Sequence, residues 1–205
     1  MQFCLEESYL KRKIKKVLNS LFEISVDLSL FFAIIVFAIG GACMATFKWF
    51  DGEVPANIKI KQVYGLVFTR DGRMLMRIED GKHSLAGGTP ESFDKDKVET
   101  LKRELIEEVN TTIYEPVMVG YQLVDEENGI PPYAQVRMTA IIDTIGEVKP
   151  DPDNGKTYER LLTTPERVIE LLGWGEVGKL QVEAATRVAK EKLGITTYLD
   201  KEEYI

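Results

Sequence analysis

The segment that most limits what this chain can fold into is KVETLKRELIEEV, residues 97–109. One side of it must be buried while the neighbouring side crowds negative charge. At about 100° per residue, Val98, Leu101, Leu105 and Val109 fall within a narrow arc, the face that packs on a core. Glu104, Glu107 and Glu108 occupy the adjoining arc, with Glu108 almost on the apolar border. Glu104 repels Glu107 at i+3 and Glu108 at i+4, by about a few tenths of a kcal/mol each. Partial burial raises that cost and pushes the carboxylate pKa values upward. Asp96 is placed as N-cap, with Glu99 three residues on in capping-box position. Two readings of the acidic arc compete. A solvated face needs only Arg103 paired to Glu107 at i+4. A hard divalent cation, which takes oxygen ligands, would instead reverse the sign of the crowding.

The surrounding sequence supplies the sheet. Residues 60–69 are β-rich and end at a turn over 70–72. Residues 73–79 alternate Met74, Met76 and Ile78 against Arg73, Leu75 and Arg77, so the two stretches form a hairpin. HSLAGG follows as a short strand and a glycine loop. VMVGYQLV and AQVRMTAIID are further strands, joined by the acidic, proline-bearing loop DEENGIPPY. TPERVIELL is a helix with Thr164 as N-cap and Pro165 at its first position. A last helix, about 177–193, ends at Gly194. Helices spaced among strands imply layers of helix on a mixed sheet, an α/β fold.

Charge and cysteine content remove some functions. A formal net charge of -7 argues against broad nucleic-acid binding, since phosphate neutralisation needs a basic surface. Both cysteines, Cys4 and Cys43, lie in the first 43 residues, so the rest has neither a disulfide framework nor a cysteine-ligated zinc site. The chain reads as two parts, an N-terminal segment over 1–47 and a domain over 48–205. The first carries a basic cluster (Lys11, Arg12, Lys13, Lys15, Lys16) and then an uncharged apolar stretch over 28–47. Twenty helical residues rise roughly 30 Å, enough to cross a bilayer. The segment is therefore either a membrane anchor or an upstream extension of a protein that starts at Met44. The first implies membrane anchoring and the second a cytoplasmic protein.

From Gly87, the stretch GGTPESFDKDKVETLKRELIEEVN resembles the signature of the Nudix hydrolase family, G-x5-E-x7-R-E-U-x-E-E-x-G-U with U a bulky aliphatic residue. Arg103, Glu104, Leu105, Ile106, Glu107 and Glu108 match the core of that pattern. The loop from Gly88 to Arg103 is one residue longer, leaving Asp94 or Glu91 as the counterpart of the first glutamate. Asn110 stands where the pattern has glycine and tolerates the left-handed conformation there. Thr111 replaces the last aliphatic residue, and Ala86 stands where the family often has proline.

The resemblance implies a Nudix-like α/β/α sandwich with a mixed β-sheet, here preceded by an apolar N-terminal segment. It implies metal-dependent hydrolysis of the pyrophosphate bond in a nucleoside diphosphate linked to another group, with Mg²⁺ or Mn²⁺. Glu104, Glu107 and Glu108 would be the metal ligands, one of them also orienting or deprotonating water. Gly87 and Gly88 would form the binding loop, the Gly87 carbonyl being a further ligand, and Arg103 would hold a glutamate in place. The partner would be a small nucleoside diphosphate derivative rather than nucleic acid, with homodimer formation left open. The alternative is a non-catalytic nucleotide-binding or regulatory module on the same fold. The proline carried beyond the signature by some ADP-ribose pyrophosphatases is replaced by Glu126, so the substrate stays open.

Other residues have two readings each. His83 either touches substrate or fills space. Asp125, Glu126 and Glu127 supply a further ligand or base, or a solvated turn. Tyr133, Gln135 and Arg137 share a strand face that contacts a base or phosphate, or faces solvent. Trp49 and Trp174 stack on a nucleobase or fill a core edge. Arg160 binds phosphate, or pairs with Glu159 or Glu166.

Overall fold

In the computed structural model of the chain the described residues are 45–205. The basic cluster and nearly all of the apolar N-terminal stretch lie outside them. Among the described residues no helix is long and apolar enough to cross a membrane.

Among the described residues ten strands and three helices follow in the order β1 (Thr46–Asp51), β2 (Lys59–Phe68), β3 (Met74–Glu79), β4 (Lys82–Ser84), β5 (Gly87–Gly88), α1 (Lys97–Val109), β6 (Thr111–Ile113), β7 (Val117–Asp125), β8 (Tyr133–Ile145), β9 (Glu159–Thr163), α2 (Pro165–Leu172), α3 (Gly175–Leu193) and β10 (Glu203–Tyr204). The sheet runs β1-β7-β8-β2-β3-β9-β10, with β4 beside β3, β5 beside β2 and β6 beside β8. Only β2 and β8 pair in parallel, so the sheet is mixed.

Strand alternation explains the layers. Leu66, Phe68, Met74, Met76 and Ile78 point to the face covered by Val168 and Leu172 of α2 and by Val182, Ala185, Val188 and Ala189 of α3. Val67 and Leu75 point the other way, with Val63, Val136 and Met138, against Leu101, Leu105 and Val109 of α1. These three α1 residues are at most 2% exposed, contributing about 2 kcal/mol each. The described residues thus form the α/β/α sandwich on a mixed sheet that the signature implies.

One departure from the expected hairpin positions the site. β2 and β3 pair only at Phe68 and Met74. Beyond that point β3 pairs with β4 and β9, and Gly87–Gly88 takes the place beside Tyr64 and Val63. The double glycine is therefore drawn into the sheet directly under α1.

The ends of α1 follow from its sequence. Asp96 accepts from the N–H groups of Val98 (2.8 Å) and Glu99 (3.0 Å). Glu99 does not close a capping box; its carboxylate accepts from the N–H and ammonium of Lys95 instead. Asn110 adopts the left-handed conformation expected of it (φ 44°, ψ 50°), and its side chain donates to the Glu147 carbonyl at 2.8 Å. Sequence reasoning did not foresee β1, β6, β9 and β10, and β1 takes in Thr46 and Phe47, which it had grouped with the apolar segment. α3 begins two residues earlier than expected, at Gly175.

Candidate active site

The acidic arc of α1 is not a solvated face. The side chains of Glu104, Glu107 and Glu108 are 12%, 19% and 8% exposed. Arg103 lies among them. Its Nη1 donates to Glu107 Oε2 (2.8 Å) and Glu104 Oε1 (3.0 Å), and its Nη2 to the Thr89 carbonyl (3.0 Å). Nε and Nη2 also grip Asp94 in a bidentate pair at 3.2 and 3.0 Å. Asp94 Oδ2 further accepts from the Thr100 hydroxyl and the Glu91 N–H. The guanidinium beside it, with these donors, holds the Asp94 carboxyl at about 2. Of the two candidates for the first acidic position, Asp94 is the one that Arg103 grips. Glu91 is exposed, and its carboxylate has no partner among the described residues.

Glu108 sits deepest. One oxygen accepts from the Gly87 N–H at 2.8 Å and the other from Arg77. Burial pushes its carboxyl up to about 7, and the charges of Glu104 and Asp151 add to the rise. Gly87 has φ +144°, and a Cβ there would lie 2.2 Å from the Val63 carbonyl, so only glycine brings this N–H to the helix. The group of Gly87 that meets the ridge is thus its N–H. Gly88 serves differently: a Cβ on it would lie 2.4 Å from Glu104 Oε1, so its bare backbone forms the cradle for that carboxylate. Burial, first, and then repulsion from Glu107 and Asp153 raise the Glu104 pKa.

Among the described residues no three Asp, Glu, His or Cys side chains converge as a ready-made metal cage; Glu104 and Glu107 pair with Arg103, and Glu108 with Arg77. The donor chemistry still suits a hard cation. Four carboxylates (Asp94, Glu104, Glu107, Glu108) face two guanidinium groups, and Glu104 Oε2 and Glu107 Oε1 accept no hydrogen bond from the described residues. A bound divalent cation would oppose the repulsion that burial has amplified.

Two hollows flank the double glycine. One, of about 450 Å³, is lined by Phe47, Tyr64, Arg77, Gly87, Gln122, Gln135, Arg137 and Trp174, among others. The other, of about 360 Å³, lies beyond Thr89 and Pro90 against Lys59, Lys61 and Tyr133. Gln135 and Arg137 therefore share the first hollow while Tyr133 lines the second. Arg137 is 1% exposed, which rules out a solvent-facing strand surface at its position.

The remaining expectations divide. Trp174 lines the larger hollow, whereas Trp49 packs across Gly120 and against the core. Arg160 pairs with neither Glu159 nor Glu166. It is buried and donates to the carbonyls of Val109 (2.9 Å), Gly146 (2.8 Å) and Ile205 (3.3 Å), closing the C-terminal end of α1. The Asp125–Glu127 loop bonds within itself and to Tyr133; the carboxylates that bear on Glu104 and Glu108 from outside α1 are Asp153 and Asp151. His83 lies on β4, and its Nε2 is buried with no partner among the described residues. Sequence reasoning missed Arg77 and the 151–154 turn. Alternation places Arg77 on the same side of β3 as Leu75, the α1 side, and that signal was available.

No family profile and no curated protein matches the chain by sequence. Among solved structures, the chain is similar to a Bacillus subtilis pyrophosphohydrolase at 18% identity and a TM-score of 0.43, over 50% of this chain and 63% of that one. It is also similar to MutT from Aliivibrio salmonicida and Vibrio cholerae (14%, TM-score 0.45, 62% and 94% of the two chains). A Nudix hydrolase from Nitrosomonas europaea gives 16% and 0.45, over 69% and 94%. The chain thus spans less than two thirds of the Bacillus subtilis structure.

Proposed function

We propose that this protein is a metal-dependent pyrophosphohydrolase that cleaves a nucleoside diphosphate linked to a second group. The observation that carries the reading is the seating of buried glutamates on the double glycine: Glu104 on the bare backbone of Gly88, and Glu108 on the N–H of Gly87. A structural helix face gains nothing from three largely buried acids beside a chain bend. A site for hard cations and a diphosphate needs both.

Glu104, Glu107 and Glu108 would hold Mg²⁺ or Mn²⁺, which when bound neutralises pyrophosphate charge and lowers the pKa of water. Arg103 orients Glu104 and Glu107, and Arg77 with the Gly87 N–H orients Glu108. Hydrolysis adds water across the P–O–P bridge: one P–O bond forms, the bridging P–O bond breaks, and a proton is released. One of the ridge carboxylates would accept that proton.

The test is cleavage of ADP-ribose, UDP-glucose and diadenosine tetraphosphate by the full chain, followed by ³¹P NMR with Mg²⁺, Mn²⁺ or EDTA. Cleavage of at least one substrate is expected with metal only. Glu107→Gln should lower the rate by about 10²-fold or more. Activity that survives both Glu107→Gln and Glu108→Gln would remove the site. Binding without turnover in the unaltered protein would favour the non-catalytic module.

A further inference from the structure

We infer that the larger hollow binds an anionic group, a phosphate monoester or a carboxylate, against Arg137. The inference rests on the pyrophosphohydrolase reading for the rest of the ligand and adds the chemical class of one of the two groups that the pyrophosphate joins.

Arg137 is a buried cation with no anion. Its Nε donates to Gln181 Oε1 at 2.6 Å, Nη1 to the Val136 carbonyl at 3.3 Å and Nη2 to Gln135 Oε1 at 3.4 Å. All three acceptors are neutral. Among the described residues it forms no ion pair. Its other neighbours are the rings of Tyr64 and Trp174, at 4.7 and 5.8 Å from the guanidinium carbon. A guanidinium has five N–H groups, so two remain without an acceptor.

The amides around it carry no charge to pair with it. Gln181 donates to Gln122 Oε1 (2.7 Å), and Gln122 donates to Gln135 Oε1 (3.1 Å). The relay is made of neutral amides, so it holds Arg137 in place without neutralising it. Buried charge of this kind is normally paired.

The hollow's position says what the pair would be. Arg77 and Gly87, which both bond Glu108, also line it, so it opens directly off the glutamate ridge. A pyrophosphate on the ridge would send one substituent into it. At about 450 Å³ it admits a sugar-sized group, with Phe47 and Trp174 as aromatic walls.

The test compares ligands of nearly equal shape that differ by one anionic group. Isothermal titration with Ca²⁺ in place of Mg²⁺ would measure UDP-glucuronate against UDP-glucose, and NADPH against NADH, with ³¹P NMR checking that each ligand stays intact so that binding is read without turnover. The charged member of at least one pair should bind about tenfold tighter, as a charge-assisted hydrogen bond supplies. The first pair reports a carboxylate and the second a phosphate monoester. Arg137→Gln should erase the preference and Arg137→Lys should keep part of it. Equal binding within both pairs, a preference that survives Arg137→Gln, or no binding of any of the four would overturn the inference. The first and last outcomes need no variant to fold. Charge-selective binding without hydrolysis of any substrate would leave this inference standing and remove the catalytic reading instead.

Discussion

The two polar clusters on either side of Tyr64 are unbalanced in opposite senses. On the ridge, four carboxylates share two guanidinium groups. In the hollow, the Arg137 guanidinium has no carboxylate partner among the described residues. Arg137 lowers and Glu108 raises the pKa of the Tyr64 phenol, which burial dominates and lifts above its ordinary value. A domain arranged for stability alone would let such neighbours neutralise one another, because an unpaired buried charge is costly. Here each keeps its excess, and on the proposed reading each would match a different part of one ligand: cations and pyrophosphate on the ridge, an anionic substituent in the hollow. Stability given up at a site is a common companion of function.

The largest expected effect breaks the ridge side of this comparison. Glu104→Gln leaves size and helix propensity nearly unchanged but removes the charge cradled on Gly88. Turnover with Mg²⁺ should fall about 10²-fold, read as kcat in a ³¹P assay. Gly88→Ala should lower activity by about tenfold with secondary structure unchanged by circular dichroism, since the new Cβ displaces the Glu104 carboxylate. Full activity in both variants would mean that the crowded acids are only scaffold.

A second comparison, between two buried arginines, sharpens the hollow side. Arg160 donates to three backbone carbonyls, so Arg160→Met should cost about 2 kcal/mol in urea unfolding, with Gly146 and Ile205 losing this donor while Val109 keeps the Thr111 hydroxyl. Arg137 meets neutral side chains and one distant carbonyl, and Arg137→Met should cost less than about 1 kcal/mol, because a desolvated charge leaves with it. Equal losses would make Arg137 a structural residue like Arg160.

How much of this was legible beforehand differs by kind of residue. The α1 face, its Asp96 cap and the left-handed Asn110 were readable because they depend on neighbours within one or two turns. The sandwich was readable because Met74, Leu75 and Met76 alternate between two cores. Arg160 was not, because its acceptors at Val109, Gly146 and Ile205 are distant in sequence. Arg137 was read only as one of a polar strand face, because period-2 alternation says which side a residue takes and nothing of what covers that side. Gln181, Gln122 and Trp174, which cover it, come from α3, β7 and the α2–α3 link. Counting from Gly88 reaches Asp94, with Glu91 a nearby alternative because of the insertion; only the three-dimensional loop turns Asp94 onto Arg103.

That choice carries the smallest effect and the clearest pH signature. Asp94 has an ordinary carboxyl pKa of 3.8 and is held at about 2, first by Arg103 and also by the Glu91 N–H and the Thr100 hydroxyl. A carboxyl with a depressed folded-state pKa stabilises the fold above its unfolded value, and that contribution disappears as pH falls through the folded value. The shift corresponds to about 2 kcal/mol, little screened because the side chain is 4% exposed. Asp94→Asn should therefore be less stable than the parent at pH 6, and the two should converge between pH 4 and 2 in thermal or urea unfolding. Its catalytic loss should be several-fold, since Arg103 would still hold Glu104 and Glu107 but without its bidentate anchor. Glu91→Gln should change neither quantity. A deficit in Asp94→Asn that persists at pH 2, or a matching deficit in Glu91→Gln, would reassign the first acidic position of the signature and with it the loop that steers Arg103 onto the ridge.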